Sequence, residues 1–178
     1  MLVGVSSVVA GDRGRELLGL YDRAVGDVYG YLLTRCRNRE TAEDVTAEVF
    51  MAAVETVRRD AVGDLSTAWL IGIARHKLID HWRRSERDTR RIHAVADDPT
   101  VTPSAGDDQW DRQVDVLVAR DTLDQLGAHH RAALTLRYLD GLPVPDVADV
   151  LGRTVEATEA LLTRARRAFR AVYEEEAR

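Results

Sequence analysis

The C-terminal part of the chain carries the pattern that most restricts its fold, which is two helical segments separated by a glycine turn. The first segment covers residues 146–151 and stops at Gly152, a residue type that readily adopts the left-handed conformation after a helix. Thr154 can cap a second helix that runs through Arg170. A short helix, a tight turn and a longer basic helix predict a helix-turn-helix, whose second helix enters the major groove of DNA.

The second helix of this motif has a predicted core face and a predicted exposed face. Helical spacing turns Thr158, Leu162, Ala165 and Phe169 toward the core. The opposite face then presents Arg153, Glu156, Ala160, Thr163 and Arg167, with Arg164, Arg166 and Arg170 nearby for phosphates. Five Arg and two Glu make residues 153–170 basic, which favours DNA binding. The alternative is a solvated helix end, where cations interact favourably with the helix dipole.

The N-terminal half is also helical in its spacing. A predicted first helix, from residue 15, would bury one stripe made of Leu17, Leu18, Tyr21, Val25, Val28, Tyr29 and Leu32. A second helix is predicted to begin near Thr41, capped by the pair Thr41 and Asp44. Its apolar face would contain Val45, Val49, Phe50, Ala53 and Val57. Residues 60–66 indicate a loop, after which Ser66 or Thr67 caps a third helix.

The third helix combines aromatic and basic side chains. Residues 69–84 contain Trp69 and Trp82 on an apolar stripe, together with Arg75, His76, Lys77, His81, Arg83 and Arg84. Cations beside aromatic rings are typical of surfaces that bind single-stranded or unstacked bases. The alternative interpretation makes both tryptophans core anchors and the basic residues a solvated rim.

Charge is segregated along the chain, although the formal net charge is only -5. Residues 75–91 hold seven Arg and Lys against three acids, whereas residues 92–115 hold six Asp against one Arg, with two prolines and a glycine. The acidic stretch lacks periodicity and is predicted to be a flexible linker. The fold class is therefore all-α, with two small helical domains. The predicted boundaries are a tail at 1–14, a first domain at 15–91, the linker at 92–115 and a second domain at 116–178.

The chain lacks the sequence signals of several other classes of protein. Its single cysteine, Cys36, can form neither an internal disulfide nor a thiolate zinc site. No Gly-rich phosphate loop, metal-ligand cluster or nucleophile elbow is present, so we predict no catalytic residue, no cofactor, no metal and no enzymatic activity. No signal peptide and no apolar run of about 20 residues is present, so we predict a cytoplasmic protein without membrane insertion.

Three segments in order resemble the extracytoplasmic-function (ECF) class of bacterial RNA polymerase sigma factors, over roughly residues 15–90 and 116–173. Residues 42–50, Ala-Glu-Asp-Val-Thr-Ala-Glu-Val-Phe, resemble the helix with which the family docks on polymerase. Residues 69–84, especially Ile-Ala-Arg-His-Lys-Leu-Ile-Asp at 73–80, resemble the segment that opens and reads the −10 element. Residues 126–170, with Leu-Arg-Tyr at 136–138 and Arg-Ala-Arg at 164–166, resemble the domain that reads the −35 element.

The resemblance implies a site for each step of promoter recognition. It implies polymerase binding by Asp44, Val45, Glu48, Val49 and Phe50, where the valines and the phenylalanine support the helix. It implies −10 binding by Arg75, His76, Lys77, Asp80, Arg83 and Arg84, with the loop at 60–66 holding a flipped base. It implies −35 binding by Arg153, Thr154, Glu156, Glu159, Ala160, Thr163, Arg164 and Arg167. The implied partners are promoter DNA, the clamp of the largest polymerase subunit, the flap of the second-largest subunit and an anti-sigma factor.

The sequence departs from the family pattern in the second helix of the helix-turn-helix. Residues 156–161, Glu-Ala-Thr-Glu-Ala-Leu, stand where the family usually has a stretch resembling Gly-Thr-Val-Lys-Ser-Arg. Glu159 and Leu161 thus replace two expected cations, so the −35 preference of this chain is expected to be its own. The alternative function is a stand-alone helix-turn-helix regulator, whose N-terminal module serves another purpose such as dimerisation.

Overall fold

The computed structural model describes residues 3–36, 38–61, 63–92 and 116–176, and every regular element in these ranges is helical. The all-α prediction is therefore confirmed. The elements, in chain order, are α1 (Val3–Leu33), α2 (Arg39–Arg58), α3 (Thr67–Ile92), α4 (Val116–Gln125), α5 (Ala128–Leu134), a π-helical turn (Thr135–Leu139), α6 (Val144–Leu151) and α7 (Val155–Glu176). Apart from Ile92, the predicted linker lies outside the described residues.

The chain divides into two compact units, Met1–His81 and Trp82–Arg178, and the division falls inside α3. In the first unit, α1 packs along α2. The buried positions of the two helices include Ala24 and Ala53, which have no exposed surface. Small side chains at these positions allow two helix backbones to approach closely. The apolar core of this unit is completed by larger residues of the three helices, which are Leu20, Val28, Leu32, Val45, Val49, Leu70 and Leu78.

The first helix differs from its prediction in extent and in the stripe that it buries. It begins at Val3, inside the segment predicted to be a tail, because no proline interrupts the chain before Leu33 and a helix elongates more easily than it nucleates. Leu18 and Tyr21 are exposed, whereas Leu20 and Ala24 are buried. The prediction of one stripe containing Leu18 and Tyr21 was wrong, because seven apolar positions cover more of the helix circumference than a single neighbouring helix can bury.

The second helix begins two residues earlier than predicted. Its N-cap is Asn38, whose side-chain oxygen accepts a hydrogen bond from the backbone N–H of Thr41 at 2.7 Å. Thr41 therefore supplies a capped N–H and is not the cap itself, which corrects the predicted pair of Thr41 and Asp44. Asparagine is as effective an N-cap as serine or aspartate. The predicted apolar face of the helix is otherwise confirmed, since Val45, Val49, Ala53 and Val57 are buried.

The second unit is built on α7, which packs against α4, α5 and α6. Its core contains Leu126, Leu134, Ala165 and Phe169. An ion pair between Asp124 and Arg131, both largely shielded from solvent, links α4 to α5. After the π-helical turn, Gly141 takes a φ of 68° and lets the chain reverse direction toward α6. The guanidinium of Arg137 donates a hydrogen bond to the carbonyl of Leu142 at 2.8 Å, which fixes this reversal.

Candidate nucleic-acid interface

The predicted helix-turn-helix is confirmed as α6, a short turn and α7. Helix α6 begins at Val144, two residues before its predicted start, with Pro143 as the N-cap residue. It ends at Leu151, and Gly152 follows with a φ of 65°, in the left-handed region where a side chain would be strained. The Oγ1 atom of Thr154 then accepts a hydrogen bond from the backbone N–H of Ala157 at 3.2 Å. The glycine turn and the threonine cap thus act as the sequence predicts.

The core face of α7 is also confirmed, because Thr158, Leu162, Ala165 and Phe169 are all buried. One further residue joins them. Leu161, one of the two residues that replace a family cation, is buried. It lies one helical turn from Thr158 and from Ala165, on the side that α7 turns toward the core. Of the two replaced cations, only the one at Glu159 is therefore a change on the exposed surface.

The opposite face of α7 and the turn before it are open to solvent. Arg153, Glu156, Glu159, Ala160 and Arg164 are exposed, as is Thr154, while Thr163 and Arg167 are partly exposed. The structure thus brings all eight predicted −35 residues to one accessible side of the motif. Several of these side chains make local contacts to backbone or to each other, which are described next. The arrangement is a helix that projects from its supporting core, as insertion into a groove requires.

The accessible side chains of α7 differ in how they are held. The hydroxyl of Thr163 donates to the Glu159 backbone carbonyl at 3.0 Å, and Arg164 Nε donates to the Ala160 carbonyl at 3.3 Å. Glu156 has a carboxyl pKa below its ordinary value, because its own backbone N–H and the Thr154 hydroxyl donate hydrogen bonds to the charged form. Glu156 is therefore part of the helix cap.

A second candidate surface lies on α3. His76, Asp80 and Arg84 are exposed and spaced by four residues, so they follow one side of the helix. Arg75, Lys77 and Arg83 are partly exposed, whereas the Trp82 ring is buried. The interpretation of Trp82 as a core anchor is therefore the one that the structure supports. Trp69, near the start of the helix, keeps a partly exposed ring.

Two hydrogen bonds hold the loop between α2 and α3. The Ser66 hydroxyl oxygen accepts a hydrogen bond from the Trp69 backbone N–H at 3.2 Å, so Ser66 and not Thr67 is the cap. Arg13 Nη1 donates to the carbonyl of Gly63 at 2.9 Å and ties the loop to α1. The sequence pattern did not indicate this role of Arg13, because the residue falls in the predicted tail and its partner is a backbone atom fifty residues away.

Helix α2, the candidate polymerase-docking helix, exposes only some of the five residues for which the resemblance implies polymerase binding. Asp44 is exposed and Glu48 is partly exposed, with its carboxylate 3.9 Å from the Lys77 ammonium. Val45 and Val49 are buried, so they can support the helix but cannot touch a partner. Their burial fits the supporting role that the resemblance implies for these two valines.

Beside this helix, Phe50 packs edge-on against Tyr21 with ring centroids 4.7 Å apart. The two rings line a shallow apolar groove of about 350 Å³ between α1 and α2, which also exposes Leu18 and Val54. Periodicity alone did not reveal this groove, because it assigns every apolar side chain to the core.

Two further properties bear on the class of protein. Within the ranges that the structure describes, no group of three or more His, Cys, Asp or Glu side chains could hold a metal ion. None of the described helices is both long enough and apolar enough to cross a bilayer. The helix-turn-helix and the basic aromatic helix α3 together define a two-module, helical DNA-binding protein.

Comparison with known proteins places the chain within this class. Residues 20–88 match the family described as Sigma-70 region 2, and residues 117–169 match Sigma-70, region 4. The ECF RNA polymerase sigma factor SigL of Mycobacterium tuberculosis is 30% identical over 159 residues, which cover 88% of each chain. ECF sigma factor BldN of Streptomyces coelicolor is 29% identical over 89% of this chain and 61% of its own length. The chain therefore belongs to the ECF RNA polymerase sigma factors.

Two solved structures share the fold. RpoE of Bartonella quintana, in complex with the anti-sigma factor NepR, superimposes with a TM-score of 0.55 at 21% identity, covering 92% of this chain and 97% of that chain. CnrH, in complex with the cytosolic domain of CnrY, gives a TM-score of 0.54 at 22% identity, covering 96% and 95%.

Proposed function

We propose that this chain binds core RNA polymerase and directs transcription initiation at promoters that it recognises through their −10 and −35 elements. The observation that carries this proposal is the presence of region 2 and region 4 in one chain, each with an accessible helix that bears the predicted DNA-binding side chains. A stand-alone repressor that binds only duplex DNA has no use for the basic aromatic surface of α3. The alternative function is therefore not favoured.

In the proposed −35 contact, α7 lies in the major groove and its cations bind the DNA backbone. Arg153, Arg164 and Arg167 are the accessible cations of the predicted set. Each phosphate that they neutralise releases condensed counterions, so each is expected to steepen the salt dependence of binding by about 0.9 in the logarithmic slope. Thr154 and Glu156 hold the start of the helix, which places Glu159, Ala160 and Thr163 near base edges.

In the proposed −10 contact, α3 lies along the separated strand. His76 and Arg84, which are exposed on one side of the helix, would contact the backbone of that strand together with Arg75, Lys77 and Arg83. Asp80, between them, would contact bases. The loop at 60–66, held to α1 by Arg13, would receive a flipped base. Capture of an unstacked base lowers the cost of opening the duplex, and this requires no ATP.

The proposed polymerase contact uses the exposed side of α2. Asp44 and Glu48 would bind the clamp of the largest subunit, while the buried Val45 and Val49 fix the helix that carries them. Phe50 would support the same helix through its contact with Tyr21. The helix-turn-helix unit would bind the flap of the second-largest subunit, which positions it at the −35 element. We further propose that the protein acts in the cytoplasm, without catalysis of its own, and that an anti-sigma factor regulates it.

The test is promoter-dependent transcription with purified core polymerase and the full chain. We expect transcripts with defined start sites, which core polymerase alone does not produce. Asp44→Ala should reduce assembly with core, because it removes an exposed carboxylate from the proposed contact. Asp27→Ala removes another exposed carboxylate, from α1, and serves as the matched control. Absence of any defined start site, with all components active in control reactions, would overturn the proposed function.

A further inference from the structure

We propose that Glu159 determines promoter specificity by accepting a hydrogen bond from the amino group of a cytosine in the −35 element. This inference rests on the proposed function, since it requires α7 to enter the major groove. It goes further by assigning one side chain to one type of base. The chain would consequently require a cytosine at one position of the −35 element, on the strand that faces Glu159.

Glu159 occupies a position on α7 from which it can reach DNA. It lies in the second helical turn after the Thr154 cap, within the N-terminal part of the second helix, which lies closest to base edges. Its side chain is exposed, whereas Thr158 and Leu161 on either side of it in the sequence are buried. Ala160, its exposed neighbour, carries only a methyl group and does not obstruct access to the groove. Glu159 can therefore reach a base edge.

The polar atoms of the Glu159 side chain remain available to a ligand, unlike those of Glu156 and Thr163. Glu156 accepts hydrogen bonds from its own backbone N–H and from Thr154. Thr163 donates its hydroxyl proton to a backbone carbonyl. Among the residues that the structure describes, none is seen to donate a hydrogen bond to the Glu159 carboxylate or to form an ion pair with it. Its two oxygens are free to accept from DNA.

A carboxylate in the major groove discriminates between bases by its chemistry. A charged carboxylate has acceptors and no donors, so it can pair only with bases that offer an amino group there. Cytosine presents its N4 amino group as a donor, while guanine presents two acceptors, N7 and O6, which would repel the carboxylate. Adenine places an acceptor beside its donor, which suits the amide of glutamine better than a carboxylate. Cytosine is therefore the base that Glu159 favours.

A carboxylate at this position is unfavourable unless a base donates a hydrogen bond to it. Phosphates on both sides of the groove repel it, and burial in an interface removes its water. Arg153, Arg164 and Arg167, on the same accessible side of the motif, offset the repulsion from phosphates. They cannot replace the lost hydration of the carboxylate at a base that lacks a donor. A mismatched base at this position should therefore be penalised, which produces specificity.

The experiment uses holoenzyme made from core polymerase and the full chain, with a promoter library randomised across the −35 element. Wild-type protein, Glu159→Gln and Glu159→Ala are compared by sequencing the transcribed templates. Glu174→Gln is the matched control, because it removes the same charge from an exposed position near the other end of α7. Wild type should prefer cytosine at one position by roughly 5- to 150-fold over the other bases, the range of one good base contact.

The two variants separate base reading from simple charge repulsion. Glu159→Gln should shift the preference at that position toward adenine, and Glu159→Ala should flatten it, with the other positions unchanged and Glu174→Gln like wild type. A uniform gain for all templates in both variants would overturn the inference, because it would show that Glu159 only repels phosphates. Defined start sites with no cytosine preference in wild type would overturn it as well. Loss of all defined start sites would instead overturn the proposed function.

Discussion

Leu161 offers the sharpest test of how the structure divides α7 between core and DNA. The residue is 4% exposed, and it packs on the side of the helix that carries Ala165 and Phe169. Leu161→Ala removes most of a buried aliphatic side chain and leaves a cavity that the helices cannot fully close. Such substitutions cost about 2 to 5 kcal/mol. This is a large part of the roughly 5 to 15 kcal/mol that stabilises a typical domain.

The matched control is Leu139→Ala in the same unit. Leu139 is 52% exposed, so the same change removes only about half as much buried surface and creates no enclosed cavity. Leu139→Ala should lower the free energy of unfolding by about 1 kcal/mol, since full burial of a leucine contributes about 1.5 to 3 kcal/mol. The difference between the two variants depends on burial and not on side-chain chemistry.

Hydrogen exchange measured by mass spectrometry on the full chain resolves the two units separately. Peptides from α5 and α7 should exchange faster in Leu161→Ala, by a factor that corresponds to the lost free energy of opening. Peptides from α1 and α2 should keep their wild-type rates. If α5 and α7 were as well protected from exchange in Leu161→Ala as in Leu139→Ala, Leu161 would be a surface residue. The position would then be available to DNA.

Three further predictions concern local features. Gly152→Ala should lower the stability of the second unit by about 1 to 2 kcal/mol because of its positive φ, whereas Gly72→Ala, inside α3, should raise stability by roughly 1 kcal/mol; thermal unfolding measures both. The pKa of Glu156 is lowered in the folded protein, so its charged carboxylate stabilises the fold at pH values above the unfolded pKa of 4.5. This stabilisation is lost as the pH falls through the folded pKa. Glu156→Gln should therefore have a lower melting temperature than wild type at neutral pH and the same one in strong acid. A double-mutant cycle on Glu48 and Lys77 should give a coupling under about 1 kcal/mol that falls with added salt, because both side chains are about one-third exposed; a larger, salt-independent coupling would contradict this.

The residues of the helix-turn-helix could be assigned from sequence because each feature depends on local chemistry. Glycine takes the left-handed conformation that ends a helix without strain, and the threonine hydroxyl accepts from a free N–H at a helix start, and Gly152 and Thr154 do both. The core face of α7 follows from helical spacing, which a continuous helix imposes on its side chains. The same reasoning predicted an all-α chain. These results required no knowledge of which helix packs against which.

Local reasoning failed where an apolar residue had more than one possible use. Leu18 and Leu20 are identical in chemistry and differ by two positions, yet only Leu20 is buried. The choice depends on where α2 contacts α1, which no pattern within α1 contains. The link from Arg13 to Gly63 joins residues fifty positions apart through a backbone carbonyl, so side-chain identity could not reveal it.

The same limit applies to the two positions of α7 at which this chain lacks a family cation. The sequence by itself determined that residues 156–161 depart from the family pattern at Glu159 and Leu161, because this needs only residue identities in order. Tertiary structure alone decided that the two changes differ in kind. Leu161 is drawn into the core by the helices that pack on α7, while Glu159 stays in solvent. Burial is a property of the packed unit, since the free energy gained by removing an apolar side chain from water exists only where a neighbouring element covers it.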